Sequence, residues 1–246
     1  MKSLFRLILA VLVCAALTAC VKAPKRQAYD PKSRAAVTSI DVLPMRYCQI
    51  ELIIVNNPAY SFGLIGLGIA EANRKPKANW LREQVSERRF DPVATFREAF
   101  IAAMTERGQS VRFAEPAMEA KSASTRRTIW GSRKSYDGIA TEADALLDVN
   151  FGFIGYAAAG TGDGSPYRPT VILSVRLVSA DGRRVLYEDQ IVYNAVFPGG
   201  DKAITLNPDE RFRYPDFDDL KAAGLTSVDG LEIAFREVAK ALAEQL

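Results

Sequence analysis

The chain contains no histidine. Catalysis by Ser-His-Asp or Cys-His sets, zinc sites built on imidazole, and imidazole pH switches are therefore excluded. Cysteine is scarce: Cys14, Cys20 and Cys48 are the whole complement, which is no disulfide framework. No strong charge of either sign is present. The 32 Lys and Arg against 29 Asp and Glu leave +3, a balance that does not call for a nucleic-acid partner. What the chain does have is ordinary globular usage. Hydrophobic residues at 48% and charged residues at 25% of 246 exclude a wholly disordered chain and fit one large domain or two small ones.

The first twenty residues read as a processing signal. Lys2 and Arg6 form a basic front, and Leu7 to Leu17 is an unbroken apolar run. Its length suits a signal-peptide core and is too short for a spanning helix. The run ends in Leu17-Thr18-Ala19-Cys20, which resembles a bacterial lipobox. The resemblance implies a diacylglyceryl group on the Cys20 thiol, cleavage before Cys20 and acylation of the new amine. Three acyl chains at ~0.8 kcal/mol per buried CH₂ would make such anchoring effectively permanent. Val21 follows Cys20. In the sorting rule of enterobacterial lipoproteins an Asp at that place retains the protein in the inner membrane, so its absence implies the outer membrane, with the domain facing the periplasm. A plain secretory cleavage with Cys20 incidental is the competing reading. Removal of residues 1–19 takes away Cys14 with the two bases and leaves Cys48 as the sole free thiol, either buried and inert or paired with another chain.

Residues 20–34 read as a lipidated N-terminus and flexible tether, and 35–246 as a single α/β domain. Val37–Met45 and Gln49–Val55 are strand-like, separated by Pro44. Asp91-Pro92 opens a helix whose Phe96, Phe100, Ala103 and Met104 share one face, and Gly108 closes it. Ser110–Phe113 and Ala145–Ala157 are strand-like. Thr170–Val178 and Arg184–Val192 flank Asp181-Gly182, a hairpin turn. A last helix over about Val228–Leu246 places Leu231, Phe235, Val238, Leu242 and Leu246 on one side. The expected fold is α/β, an α+β sandwich: a mixed sheet of about five strands, two main helices packed on it, and an inserted helical segment.

Several phrases are similar to the TolB N-terminal-like periplasmic domains, a group that includes the curli-secretion lipoprotein and lipoprotein activators of penicillin-binding proteins. SIDVLPM resembles their first strand, FREAFIAAMTERG with VRF their first helix and second strand, ADALLDVNFGFIG their third strand, and VRLVSADGRRVLYEDQIV their hairpin. The match covers about two-thirds of the mature chain in order, apart from a long insertion at about 46–90. The resemblance implies fold more than function, and no residue roles are carried over.

Four stretches invite functional readings. Residues 59–70 are apolar and glycine-rich but lack the third glycine of a dinucleotide fingerprint. They suit close helix packing against the sheet or a neighbouring subunit, or membrane contact. Trp80 and Arg82 lie in a basic segment that could touch anionic headgroups. Arg126, Arg127 and Arg133 surround Trp130 in a basic-aromatic cluster suited to headgroups, peptidoglycan or an acidic partner. The acidic stretch 209–219 carries Tyr214 and Phe217; its carboxylates could supply a hydrolase pair only at the right separation, and it lacks calcium-loop spacing.

The expectation is a non-enzymatic docking or assembly component of an envelope machine. It would use no cofactor, metal or nucleic acid, and would bind an envelope protein or itself. An oligomeric secretion-pore subunit and a cell-wall hydrolase using carboxylates in 209–219 are the alternatives. Radiolabelled palmitate supplied to growing cells should enter the chain and fail to enter a Cys20→Ser variant. Equal label in both would overturn the anchor.

Overall fold

The computed structural model describes residues 26–114, 127–128, 130–162, 164–197 and 203–246. The organising element is the long strand Ala145–Ala158. Numbered in chain order, the strands are β1 (Ser39–Val42), β2 (Glu51–Ile54), β3 (Ser110–Phe113), β4 (Ala145–Ala158), β5 (Arg168–Ser179), β6 (Val185–Tyr193) and β7 (Ile204–Leu206). The helices are α1 (Pro31–Ala35), α2 (Gly63–Glu87), α3 (Pro92–Glu106), α4 (Phe217–Ala223) and α5 (Thr226–Gln245).

The sheet is mixed, in the order β3-β1-β4-β5-β6-β7, with β2 also on β4. It has two strands more than the five expected. β5 lies antiparallel along the length of β4. The other edge of β4 is shared: β1 pairs in parallel at its start, beside Ala145–Leu147, and β2 at its end, beside Gly155–Ala158. Pro44 does separate these two strands, and a bridge at Arg46 to Asn150 marks the chain between them. β2 approaches β4 closely only because Gly155 has no side chain. Its φ is +147°, and a Cβ there would lie 1.7 Å from the Glu51 carbonyl oxygen.

One face of the sheet carries the helices. α3 begins as its residues predict. Asp91 accepts from the N–H groups of Val93 and Ala94 at 2.9 and 3.0 Å, supplying partners that the first helical turn lacks. Phe96 stacks on Phe100 and meets Phe151 of β4 edge-on, with ring centroids 5.2 Å apart. From α5, Phe235 reaches the same Phe151 at 5.2 Å, and Leu231, Val238, Leu242 and Leu246 are buried with it. A second cluster, with Leu52, Leu81, Tyr156, Leu220 and Leu231, joins α2, α4 and the start of α5 to the distal half of β4.

The insertion at about 46–90 holds the expected helical segment: after β2 and a 3-10 turn it runs as one continuous helix, α2, in which Pro76 lies without breaking it. Arg74 and Arg82 both reach Glu51 of β2, and Arg82 also donates to the Ile50 carbonyl at 2.8 Å, so charge clamps hold α2 down beyond its apolar contacts. Its first two turns do not pack on the sheet. The segment 26–34, expected as tether, is docked: Gln27 exchanges backbone hydrogen bonds with Glu188 of β6, Arg26 pairs with Asp189, and Tyr29 is buried against Tyr187. An edge strand with free backbone groups and an aromatic ring to bury explain the docking.

Asp144 ties the start of β4 to β1. Its carboxylate accepts from the Thr38 and Ser39 N–H groups and from both hydroxyls, all within 2.8–2.9 Å. The Thr38 amide first, then the Ser39 and Thr38 hydroxyls, hold the carboxyl at about 2, below its ordinary value of 3.8. A depressed carboxyl contributes stability fully above its unfolded pKa and loses it as pH falls through the folded one. Asp144→Asn should therefore be less stable than the parent in urea at pH 6 and converge with it near pH 2. An equal gap at both pH values would overturn this.

Candidate functional site

The sheet face away from the helices is built by the period-two alternation of three strands. Strand register places Asp148 of β4 beside Arg176 of β5, and Arg176 beside Glu188 of β6. Asp148 is buried in a mostly apolar strand, and a buried charge must be paired and hydrogen-bonded. Its partners come from the segment 127–136. The Arg133 N–H donates to Asp148 Oδ2 at 2.6 Å, the Arg133 guanidinium pairs with Oδ1, and the Tyr136 hydroxyl donates to Oδ2 at 3.0 Å. Arg127 adds a longer contact at 3.4 Å. Arg133 also donates to the Pro44 carbonyl, and Arg176 donates to the Arg133 carbonyl and pairs with Glu188 at 2.5 Å. Burial first, and the Asp148 charge second, push the Tyr136 hydroxyl well above its ordinary pKa, so it stays a donor at any physiological pH.

This network presses the preceding turn onto the sheet. Gly131, at φ +89°, sits where a Cβ would meet the Asn150 side chain at 2.1 Å, and Asn150 donates to the Trp130 carbonyl at 3.1 Å. Trp130 thereby becomes one wall of a cleft of about 530 Å³. Tyr47 and Cys48 form another wall, Phe153 and Phe197 pack at 5.0 Å on a third, and Asn150, Ser174 and Gln190 lie among the lining residues. Its volume falls in the range of ligand pockets. The lining contains one cation, Arg46, and no carboxylate. The Cys48 thiol is half-buried, and burial raises its pKa, which keeps it a protonated thiol.

The residues singled out in the sequence separate. Trp130 is in the cleft, and Arg127 and Arg133 belong to the pinning network rather than to an open basic surface. Arg133 is buried because Asp148 draws it in. Tyr214 is buried as well, exchanging backbone hydrogen bonds with Tyr167 and lying 5.8 Å from the Tyr156 ring. Trp80 meets Phe217 edge-on at 5.5 Å, with Lys77 over the Phe217 ring, so these join α2 to α4. Arg82 serves Glu51. Cys20 and Arg126 lie outside the described residues.

Three of the five acids of 209–219 are engaged locally. Asp209 pairs with Arg211, Glu210 with Arg168, and Asp216 caps α4 by accepting from the Asp219 N–H at 2.9 Å. Among the described residues, no group of three or more His, Cys, Asp or Glu side chains could hold a metal ion, and no helix is long and apolar enough to cross a membrane. The cleft, Asp148 and Phe197 were missed in the sequence. The available signal was Asp148 and Asn150 at alternate positions of an apolar run, polar groups that a sheet face must satisfy.

No family model matches the chain, and no curated protein does. Two solved structures are similar to it: the PelC dodecamer from Paraburkholderia phytofirmans and a variant of the same dodecamer. Both are 12% identical. The likeness covers 74% of this chain and 86% of the first, and 85% of this chain and 95% of the second, with TM-scores of 0.23 and 0.25. A likeness of that extent carries no argument about assembly or activity, and the TolB N-terminal-like resemblance rests on its sequence phrases alone.

Removing one partner of a buried pair costs about 3–5 kcal/mol, whereas replacing the whole pair by apolar side chains is often neutral. Asp148→Ala should lose stability of that order in urea unfolding and expose Trp130, shifting its emission to the red. Asp148→Leu combined with Arg133→Met should recover most of the loss. A single-variant loss below about 1 kcal/mol, the size of an exposed pair, would overturn the assignment.

Proposed function

We propose that the chain is a lipoprotein, held by Cys20 at the periplasmic side of an outer membrane, that works by docking an envelope partner rather than by catalysis. The observation that carries this reading is the cleft on the open sheet face. Its walls are the aromatic side chains of Tyr47, Trp130, Phe153 and Phe197, and its other polar groups are the Asn150 and Gln190 amides, the Ser174 hydroxyl, the Cys48 thiol and Arg46. Aromatic walls with a few oriented hydrogen-bonding groups bind an apolar or amide-bearing segment well. The lining offers no carboxylate for general acid–base work; its Cys48 thiol has its pKa raised by burial. Of the carboxylates in 209–219, Asp209 and Glu210 are in ion pairs and Asp216 caps α4, at another part of the molecule. The lipobox resemblance supplies the address.

The test uses a photocrosslinking amino acid in place of Tyr47, which is exposed at the cleft mouth, in the full chain in living cells. A discrete adduct with one envelope protein supports docking, and an adduct with a second copy supports self-assembly through the same cleft. No adduct from position 47, under conditions where a control position on another lipoprotein crosslinks, would overturn the reading.

A further inference from the structure

The start of α2 is apolar without being packed. From Leu52 to Ala70 the chain has no charged residue, yet Phe62, Leu64 and Ile65 are 74%, 87% and 78% exposed, and Leu67 and Ile69 are exposed as well. This tip is a built unit. Asn57 caps the 3-10 turn Pro58–Phe62 by accepting from the Ala59 N–H at 3.0 Å. Gly66 is buried so tightly that a Cβ would lie 1.8 Å from the Ala59 carbonyl oxygen. Successive helical residues are about 100° apart, so Leu64, Ile65, Leu67 and Ile69 spread over roughly 200° of the circumference. A helix that packs on one protein surface needs an apolar stripe of only about 100°, whereas a helix apolar nearly all round suits a medium that surrounds it.

We infer that the tip, Pro58–Ala70, inserts into the acyl layer of a phospholipid bilayer as a second attachment beside the lipid anchor. The inference rests on the reading of Cys20 given above. Two further observations favour lipid over a second copy of the chain. The first is direction. β6 is parallel to β4, and the segment at Gln27 is antiparallel to β6. Followed towards its N-terminus at Gln27, the chain therefore points along β4 towards Ala158, where β2 delivers the chain into the tip. Gln27 lies level with Glu188, Arg176 and Asp148. From there to Ala158 is about 30 Å at ~3.3 Å per residue, and the seven steps from Gln27 back to Cys20 reach at most about 25 Å. A fully extended tether would stop about 5 Å short of the level of Ala158, which would let acyl chains on Cys20 enter the same bilayer as the tip. The second is charge. Exposed Lys75, with Lys77 beyond it, follows the tip at about the rise of one to two turns, where headgroup phosphates would lie when the apolar turns sit ~5–10 Å deep.

The full lipidated chain, carrying Leu64→Trp or Ile65→Trp, is reconstituted into phosphatidylethanolamine–phosphatidylglycerol vesicles with brominated acyl chains and floated. The expected result is floating protein whose added emission, relative to the parent, is blue-shifted and mostly lost to bromine. Floating protein whose added emission is quenched by aqueous iodide instead would overturn the tip and leave the anchor standing. Floating protein quenched by neither, with crosslinks between copies, would overturn lipid as the occupant in favour of a second copy. Protein that does not float would overturn both readings.

Discussion

A single carboxylate on the open side of the sheet decides how the second face is arranged. Asp148 lies in a strand whose neighbours are Leu, Val and Phe, and it has no access to water. The cost of leaving it unpaired is several kcal/mol, so the segment carrying Arg133 and Tyr136 is drawn onto the sheet. Trp130 and Gly131 follow because they are covalently next to it. The cleft is thus a by-product of charge neutralisation in the row Asp148, Arg176 and Glu188, set by strand register. Its walls are aromatic and its floor polar because the strand alternation continues past the charged row to Asn150, Ser174 and Gln190.

The same strand divides the labour of the molecule. Its helix-facing residues, Leu147, Val149, Phe151 and Ile154, belong to the main core, and Asn150, Gly152 and Phe153 line the cleft. Its far end receives β2 and, through β2, the apolar tip. The main core on one face, the cleft on the other and the apolar tip at one end are therefore coupled to one element, β4, the longest strand among those described.

The main helices and the hairpin were legible because their patterns are periodic and local. Phe96, Phe100 and Met104 repeat at helical spacing, Asp91 and Pro92 announce a start, and Asp181-Gly182 announces a turn. The open face was not legible. Arg133 and Tyr136 carry no period, and their placement depends on an acid 15 and 12 residues away in sequence. A basic-aromatic run read as surface is partly interior for that reason. The acids of 209–219 were legible as a cluster but not as caps, because a cap is recognised only once the helix beside it exists. The docking of 26–34 was hidden for a similar reason: it uses backbone groups of β6, which any residue type supplies.

The margins of the sheet limit how copies of this molecule can meet. On one side the margin is β7, of three residues, and the part of β6 that β7 leaves uncovered is bonded by Gln27 at Val185 and Glu188. On the other, β3 offers only four residues, with the charged Arg112 among them. Short or occupied margins resist strand addition. Among the described residues, a continuous inter-subunit ribbon would find only β2, β3 and β7 to extend, strands of four, four and three residues.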